Sequence, residues 1–411
     1  MRVNTAFNRI LAIEGTLVDS VAFTDEGLVL TVRRRARTHR CPCGRRVRGR
    51  YDASTRRWRH LDFGTCRVLL EASIARVACP RCRRVRTEAV PWARDGARFT
   101  RDFEDMIAWL AQRMDKTSVA RLLRTSWKSV DRAITRVVDE HLDTARLDHL
   151  YRIGVDEISY RKGRKFLTVV ADHDTGDVVW VATGKSEESL ASFFDLLGPE
   201  RASQLEAVTM DGSKAFRGAT AKAAPNAKIC LDPFHIIKWA SEALDLVFRA
   251  ERFEFLTHAN LAARSNAPWT AARFALRRAK EKLTPADQKM LAAMRRERLN
   301  VHRAWLLKEE LRDLFRVIEP AKASAYLRRW ITRARRSGIT PMINLAKRLE
   351  AHTDRIIAGI ELGLSNSRLE GTNAKIRVIQ RRGYGYHHPN ALAATIYLCC
   401  GGITVTLPTR R

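Results

Sequence analysis

Apolar side chains recur along this chain with two different periods, and the switch between them divides it. Between residues 101 and 142 the spacing is helical, with Phe103, Ile107, Leu110 and Met114 on one stripe. Residues 117–124 predict a short helix and 127–138 a second, broken at Thr125-Ser126. Thr117 and Ser126 are the expected caps. Ala120 is small where the two helices would cross, and Val130 and Ile134 point inward. From Tyr151 the period falls to two. Strands are predicted over 152–159, 166–172 and 178–183, with a turn at Asp174-Thr-Gly. A helix over 186–197 follows, then strands at 208–211 and 227–232 with helices alternating. From about Ala240 to Gly359 the pattern is helical and rich in Arg, Lys and Ala. Trp269, Trp305 and Trp330 fall in amphipathic windows there and read as packing residues. Ahead of all this, Trp58, Leu61, Phe63 and residues 68–77 are β-like.

Three antiparallel strands followed by alternating helix and strand is the order of an RNase H-like fold. In that order the first strand and the end of the fourth lie side by side, which would bring Asp156 and Asp211 together. The expected architecture is a multidomain α/β protein with added helices. Its parts are a zinc-ribbon-like domain (1–98), a helix-turn-helix (99–149), a catalytic core (150–239), an all-helical insertion (240–359) and a C-terminal return to the core (360–411).

Composition narrows the partners. The chain has 411 residues, 45% of them hydrophobic, enough for several ordinary cores. Its 75 Lys and Arg against 45 Asp and Glu give a formal charge of +30, the balance of a protein that neutralises phosphates. The charge is concentrated: residues 33–50 hold nine Arg and no acid. No apolar run is long enough for a membrane helix, since 391–407 is broken by Gly401-Gly402. The N-terminal residues lack the apolar segment of a signal peptide. The expectation is a cytoplasmic, nucleoid-associated protein with reduced cysteines, for which paired Cys mean metal rather than disulfide.

Two Cys pairs, Cys41-Pro-Cys43 and Cys79-Pro-Arg-Cys82, bracket the β-like segment as the knuckles of a zinc ribbon would, holding one structural ion. The first pair has one intervening residue where two are favoured, so His39 and His60 remain alternative ligands. Cys66, Cys230, Cys399 and Cys400 follow apolar patterns and read as small core residues. In the helix-turn-helix the second helix would enter the major groove and present Lys128, Ser129, Arg132 and Arg136 to DNA.

Three acids close or open elements: Asp156 and Asp211 end strands, and Glu370 sits in the first turn of a helix begun by the capping box Ser367-x-x-Glu370. Carboxylates so placed suit Mg²⁺, which prefers oxygen ligands and keeps positions open for water and phosphate. Asn366, Asn373, Lys375 and Arg377 would line a polar, DNA-contacting face beside Glu370. Arg381 and Arg382 open a basic-aromatic loop of the same kind. Asp232 also ends a strand and competes with Asp211 as second metal ligand.

Taken together, the Cys knuckles, the helix-turn-helix, Gly154-Val-Asp-Glu, Thr209-Met-Asp-Gly-Ser, Leu231-Asp-Pro-Phe-His-Ile and Ser365-Asn-Ser-Arg-Leu-Glu-Gly-Thr-Asn resemble bacterial insertion-sequence transposases of the ISL-three (ISL3) type, within the DDE group. The resemblance spans essentially the whole chain. It implies Asp156, Asp211 and Glu370 as a triad holding two Mg²⁺ (or Mn²⁺) ions, about 3.5–4 Å apart in such sites. It makes Asp232-x-x-His235 a supporting motif. The implied activity is cleavage at the element's terminal inverted repeats and strand transfer into target DNA, by a homodimer on paired ends. Two rivals stand beside it: a structure-specific nuclease or resolvase on the same core, and a non-catalytic zinc and helix-turn-helix regulator.

Overall fold

The computed structural model describes residues 3–161, 165–258, 267–364, 367–386 and 388–408. These form two compact units, residues 1–144 with 376–411, and 145–375. Asn366 lies outside the described residues, as does His387 of the basic-aromatic loop.

The first unit opens with helix α1 (Val3–Leu11) and strands β1 (Thr16–Thr24) and β2 (Gly27–Arg34). Two short strands follow, β3 (His39–Arg40) and β4 (Arg46–Val47), then β5 (Asp52–Phe63), β6 (Cys66–Cys79) and β7 (Arg84–Thr87). The sheet runs β1-β2-β6-β5, with β7 also on β6. One face buries Leu28, Leu30, Leu70 and Ile74 around Trp58 and Trp92, whose rings meet edge-on at 5.7 Å. Neither α1 nor the β1–β2 hairpin was expected from the sequence pattern.

Helices α2 (Arg101–Ala111), α3 (Lys116–Leu122) and α4 (Trp127–His141) form the three-helix module. Phe103, Ile107, Val130 and Ile134 are its buried seam. Ser126 caps α4, accepting from Ser129 N, as its position predicts. The α3 cap is Asp115 rather than Thr117, with its carboxylate taking the Thr117 and Ser118 amides. An ionised oxygen two residues nearer the turn outcompetes the threonine hydroxyl.

The second unit is built on β8 (Arg152–Arg161), β9 (Lys165–Asp172), β10 (Val178–Thr183), β11 (Ala207–Met210) and β12 (Lys228–Leu231), ordered β10-β9-β8-β11-β12. The first three are antiparallel, while β11 runs parallel to both β8 and β12. Helices α5 (Glu187–Leu197), α6 (Pro199–Ser203) and α7 (Lys214–Ala223) intervene. Ile153, Val155, Val208 and Met210 share a core with Leu190, Phe193 and Phe216, so α5 and α7 cover that sheet face.

The helical insertion begins earlier than expected. Helix α8 (Pro233–His258) starts directly after Asp232, followed by α9 (Ala267–Arg277), α10 (Pro285–Arg296), α11 (Asn300–Asp313), α12 (Pro320–Arg335), α13 (Thr340–Glu350) and α14 (Thr353–Glu361). Trp269, Trp305 and Trp330 are buried in its core. Gly359 lets α14 lie close on β12, where a Cβ would stand 3.5 Å from Cys230 Cβ. Helix α15 (Ser367–Arg382) then carries Glu370, and α16 (Pro389–Cys400) packs with α4 in the first unit. The division between the two units falls between Lys375 and Ile376, within α15.

Candidate active site and metal centre

Parallel pairing sets Thr209 beside Gly154, and continuing that register by two residues puts Asp211 level with Asp156. Strand alternation turns both away from the α5–α7 core, because Val155 and Met210 face it. That opposite face receives the first turns of α15. Leu369 fills the space over Gly154, where any Cβ would fall 2.6 Å from its methyls. Thr372 Oγ1 donates to Gly176 O at 3.0 Å, and Arg368 donates to Asp174 O. The first turn of α15, which carries Glu370, is thereby docked on the sheet face that bears Asp156. Asp156 lies in the middle of β8 and not at its end as expected, and the charges of Asp232 and His235 reach Glu370.

Each aspartate is held by the backbone that follows it. Asp156 Oδ1 accepts from Glu157 N at 2.7 Å, Asp211 Oδ1 from Ser213 N at 2.8 Å and Asp232 Oδ1 from Phe234 N at 2.9 Å. Asp156 Oδ2 also takes the Asn373 amide of α15. His235 Nδ1 lies 2.9 Å from Asp232 Oδ2. Asn373 is buried and turned onto Asp156 instead of outward, which separates it from the exposed Lys375 and Arg377 with which the sequence pattern grouped it. The side chain of Ser367, the expected capping-box hydroxyl, lies outside the described residues.

Charge crowding marks the place. Burial raises the Asp156 carboxyl, and the charge of Asp232 raises it further against the pull of the Glu157 amide, His235 and Asn373. Desolvation and Asp232 likewise raise Glu370. Burial and Asp211 raise Glu157, a further carboxylate that the sequence pattern did not single out. Burial pulls His235 down, but the hydrogen bond and charge of Asp232, with Asp156 and Asp211 behind it, carry the imidazole above its ordinary value.

Hard oxygen donors with too few counter-charges fit a divalent cation. Asp211 Oδ2 and the Glu370 carboxylate accept no hydrogen bond among the described residues, leaving ligand atoms open. The carboxylate oxygens are not drawn fully together. Among the described residues only the four cysteine sulfurs form a set of three or more possible ligands all within 4.8 Å of one another.

Comparison with known proteins bears directly on this geometry. Residues 153–396 match the model of the ISL3 DDE family, described as transposase. Residues 88–138 match the helix-turn-helix domain of transposase family ISL3. The chain is 37% identical over 443 aligned residues to the transposase for insertion sequence element IS1557 of Mycobacterium tuberculosis, covering 100% of this chain and 98% of that one. It is 29% identical over 348 residues to the transposase for insertion sequence element IS1001 of Bordetella parapertussis, covering 84% of each. The chain belongs to the ISL3 family of transposases. It is a DNA-binding protein of mixed α/β, multidomain build, and among the described residues no helix is long and apolar enough to cross a membrane.

In this ISL3 chain the four sulfurs of Cys41, Cys43, Cys79 and Cys82 converge, with Cys41 to Cys82 at 3.8 Å and Cys43 to Cys79 at 3.6 Å. Zn–S bonds of about 2.3 Å set tetrahedral edges of about 3.8 Å, so the set is compatible with zinc, and the distances are far beyond the ~2.05 Å of a disulfide. Close spacing at Cys41-Pro-Cys43 is accommodated by a tight turn in which Gly44, at φ +87°, donates to Cys41 O at 2.8 Å. The Arg45 backbone amide brings the Cys43 thiol down to about 6, while burial raises Cys41 and the contact with Cys43 raises Cys82. His39 is tied to Glu88 at 2.8 Å and His60 to Thr100 Oγ1 at 2.9 Å, so neither reaches the sulfurs. Cys230 and Cys400 are buried and Cys399 half-buried, whereas Cys66 is exposed at the start of β6, contrary to expectation.

On α4 of the transposase, Lys128 and Arg132 are exposed and Ser129 is half-buried against Ser126. Arg136 differs: it is half-buried and clamps the buried Glu104 of α2. Arg381 is exposed, but Arg382 donates to Gln112 O at 2.9 Å and Ala111 O at 2.8 Å, closing the C-terminus of α2. Arg136 was expected at DNA as part of the groove-entering helix, and Arg382 as part of a basic-aromatic loop. Their carboxylate and carbonyl partners are too distant in sequence for any local pattern to reveal.

Proposed function

We propose that this ISL3 transposase binds the terminal inverted repeats of an insertion sequence, cuts there in a divalent-metal-dependent step and joins the freed end to target DNA. What supports the reading is the ISL3 transposase match over residues 153–396, together with Asp156 on β8, Asp211 directly after the adjacent parallel β11, and the first turn of α15, which carries Glu370, docked on the same sheet face. The strand order 3-2-1-4-5, counted from β8, supports an RNase H-like core. Asp156, Asp211 and Glu370 would hold Mg²⁺ or Mn²⁺, and one Zn²⁺ would sit among the four cysteines. When bound, the catalytic metal supplies Lewis acidity at the phosphate and lowers the pKa of a coordinated water.

The chain's residues set up the rest. Asn373 and the Glu157 amide fix the Asp156 carboxylate, so its orientation is set before substrate arrives. Asp232 holds His235 at Nδ1, leaving Nε2 as the ring nitrogen available to a phosphate oxygen. Water adds to phosphorus as the bond to the 3′ oxygen breaks, giving a 3′-OH and a 5′-phosphate. That 3′-OH then displaces a 3′ oxygen in the target strand. No Ser or Tyr nucleophile is needed, so no protein–DNA bond forms. Lys128, Ser129 and Arg132 on α4, together with the exposed Lys375, Arg377 and Arg381, are the proposed DNA contacts. A homodimer on paired ends follows from the need to hold two termini at once.

Incubating the protein with end-labelled terminal DNA tests this. Mg²⁺-dependent nicking at the element boundary, blocked by EDTA and abolished in Asp156→Asn with end binding retained, is the expected result. Binding without nicking would favour the regulator, and nicking of branched DNA regardless of sequence would favour the resolvase.

A further inference from the structure

Immediately after Asp211 the chain passes Trp239. A Cβ on Gly212 would meet the indole Cζ2 and Cη2 at 3.3 and 3.4 Å, so the ring edge lies on the turn that follows the aspartate. Over one face of that indole sits Arg348, its guanidinium carbon 3.4 Å from the ring centroid. His352 packs nearby, the two rings 5.8 Å apart and inclined by 35°. Arg355 in turn places Nη1 at 2.8 Å from His352 Nδ1. Arg217, in the helix entered just beyond Asp211, contributes a third guanidinium whose Nε is buried without a hydrogen-bond partner. Burial, with the charges of Arg355, Arg217 and Arg348, holds His352 below its ordinary value, which groups the four side chains into one cationic patch.

The acids that influence these arginines, Glu242 and Asp211 for Arg348 and Asp354 for Arg355, do not close to ion pairs with them. Arg355 and Arg217 are half-buried and Arg348 is exposed apart from its stacked face, and among the described residues none of the three forms an ion pair with a carboxylate. A chain at +30 has little spare anion of its own to offer. The planar fork of a guanidinium matches a phosphate bidentately, and stacking on Trp239 fixes the plane of Arg348 in advance. We propose that Trp239, Arg348, Arg355 and Arg217 form a phosphate subsite that grips the DNA backbone beside the scissile bond. This subsite rests on the reading of Asp211 as part of the cleavage site.

The test is equilibrium binding of the full, zinc-loaded chain, without Mg²⁺ or Mn²⁺, to a duplex carrying the terminal repeat and to a random duplex, across a salt series. The variants are Arg348→Gln with Arg355→Gln, the same pair changed to Lys, and Arg217→Gln alone. Each lost phosphate contact lowers the slope of log Kd against log salt by about 1, equally for both duplexes. The double Gln variant is expected to lose a slope of about 2 and bind on the order of tenfold or more weakly at ~0.1 M salt. Arg217→Gln, which disturbs no stacking, loses about 1, and the Lys pair recovers most of the slope. Unchanged slopes in Arg217→Gln and in a folded double Gln variant overturn the subsite. So does equal weakening by Lys and Gln at constant slope, which would mark Arg348 as packing alone. Because binding is read without Mg²⁺ or Mn²⁺, a wild-type protein that never cuts would contradict the cleavage reading while leaving the subsite to these slopes.

Discussion

Gly154 shows how much of the site hangs on a missing methyl group. Leu369 occupies the volume a Cβ would need, and Thr209 Oγ1 closes it at 3.1 Å from the other side. Gly154→Ala should therefore cost about 1–3 kcal/mol of stability by overpacking. It should also lift the first turn of α15 from the sheet, removing cleavage more completely than DNA binding. Calorimetry and a nicking assay on the same preparation check both effects. A second residue makes a pH prediction. His60 is buried, bonded to the hydroxyl that caps α2, and burial lowers it to about 4. Its folded value lies below its unfolded one, so the unfolded chain binds the proton more readily. The stability it protects is complete above about pH 6.5 and is lost as pH falls toward about 4, about 3 kcal/mol in all. A His60→Gln variant should show a flatter dependence over that window, seen as a shrinking difference in melting temperature from wild type as the solution is acidified. The sequence singled out Asp156 and Asp211 because each closes an apolar run, although in the structure only Asp211 follows the end of its strand while β8 continues past Asp156 to Arg161. It concealed the role of Asn373, since an asparagine one turn beyond Glu370 looks the same facing DNA or facing a carboxylate.

Among the elements, α4 combines two kinds of arginine. Arg132 is exposed, while Arg136 is engaged by Glu104, which has no exposed side-chain surface. Burial keeps Glu104 above the ordinary carboxylate range even with Arg136 and Arg94 beside it. Arg136→Ala should cost about 2–3 kcal/mol by leaving that acid under-compensated. Arg132→Ala should leave the melting temperature unchanged and weaken end-DNA binding by about 1–3 kcal/mol. Thermal melts paired with binding isotherms separate the two, and a swapped outcome would reassign the DNA-facing side of the helix. The helix-turn-helix and the five-stranded sheet were legible because their buried positions repeat with one period over several turns or residues. The β1–β2 hairpin was not. Along β1 only Thr16 and Val18 are buried, so an edge strand with seven more open positions leaves no alternation to read.

At the scale of the whole molecule, the two proposed metals would draw on different chemistries, soft thiolates in the first unit and hard carboxylates in the second. The sulfurs are close enough to be compatible with zinc, and Cys43→Ser or strong chelation should lower the melting temperature of the first unit, read by calorimetry. The carboxylates are different, because their assembly joins Asp156 and Asp211 to a helix reached only after the long insertion. Sequence order could name Glu370, but not the Leu369, Thr372 and Asn373 contacts that dock it, which exist only once the sheet has formed. The most direct test of that assembly uses Fe²⁺ in place of Mg²⁺ in the zinc-loaded protein, with peroxide and ascorbate, so that radicals cut the backbone beside the bound ion. The account predicts fragments ending near residues 156, 211 and 370 together, suppressed by excess Mg²⁺ and absent in Asp156→Asn. Cuts at one of these places without the others, or a pattern indifferent to Mg²⁺ and to the substitution, would contradict it.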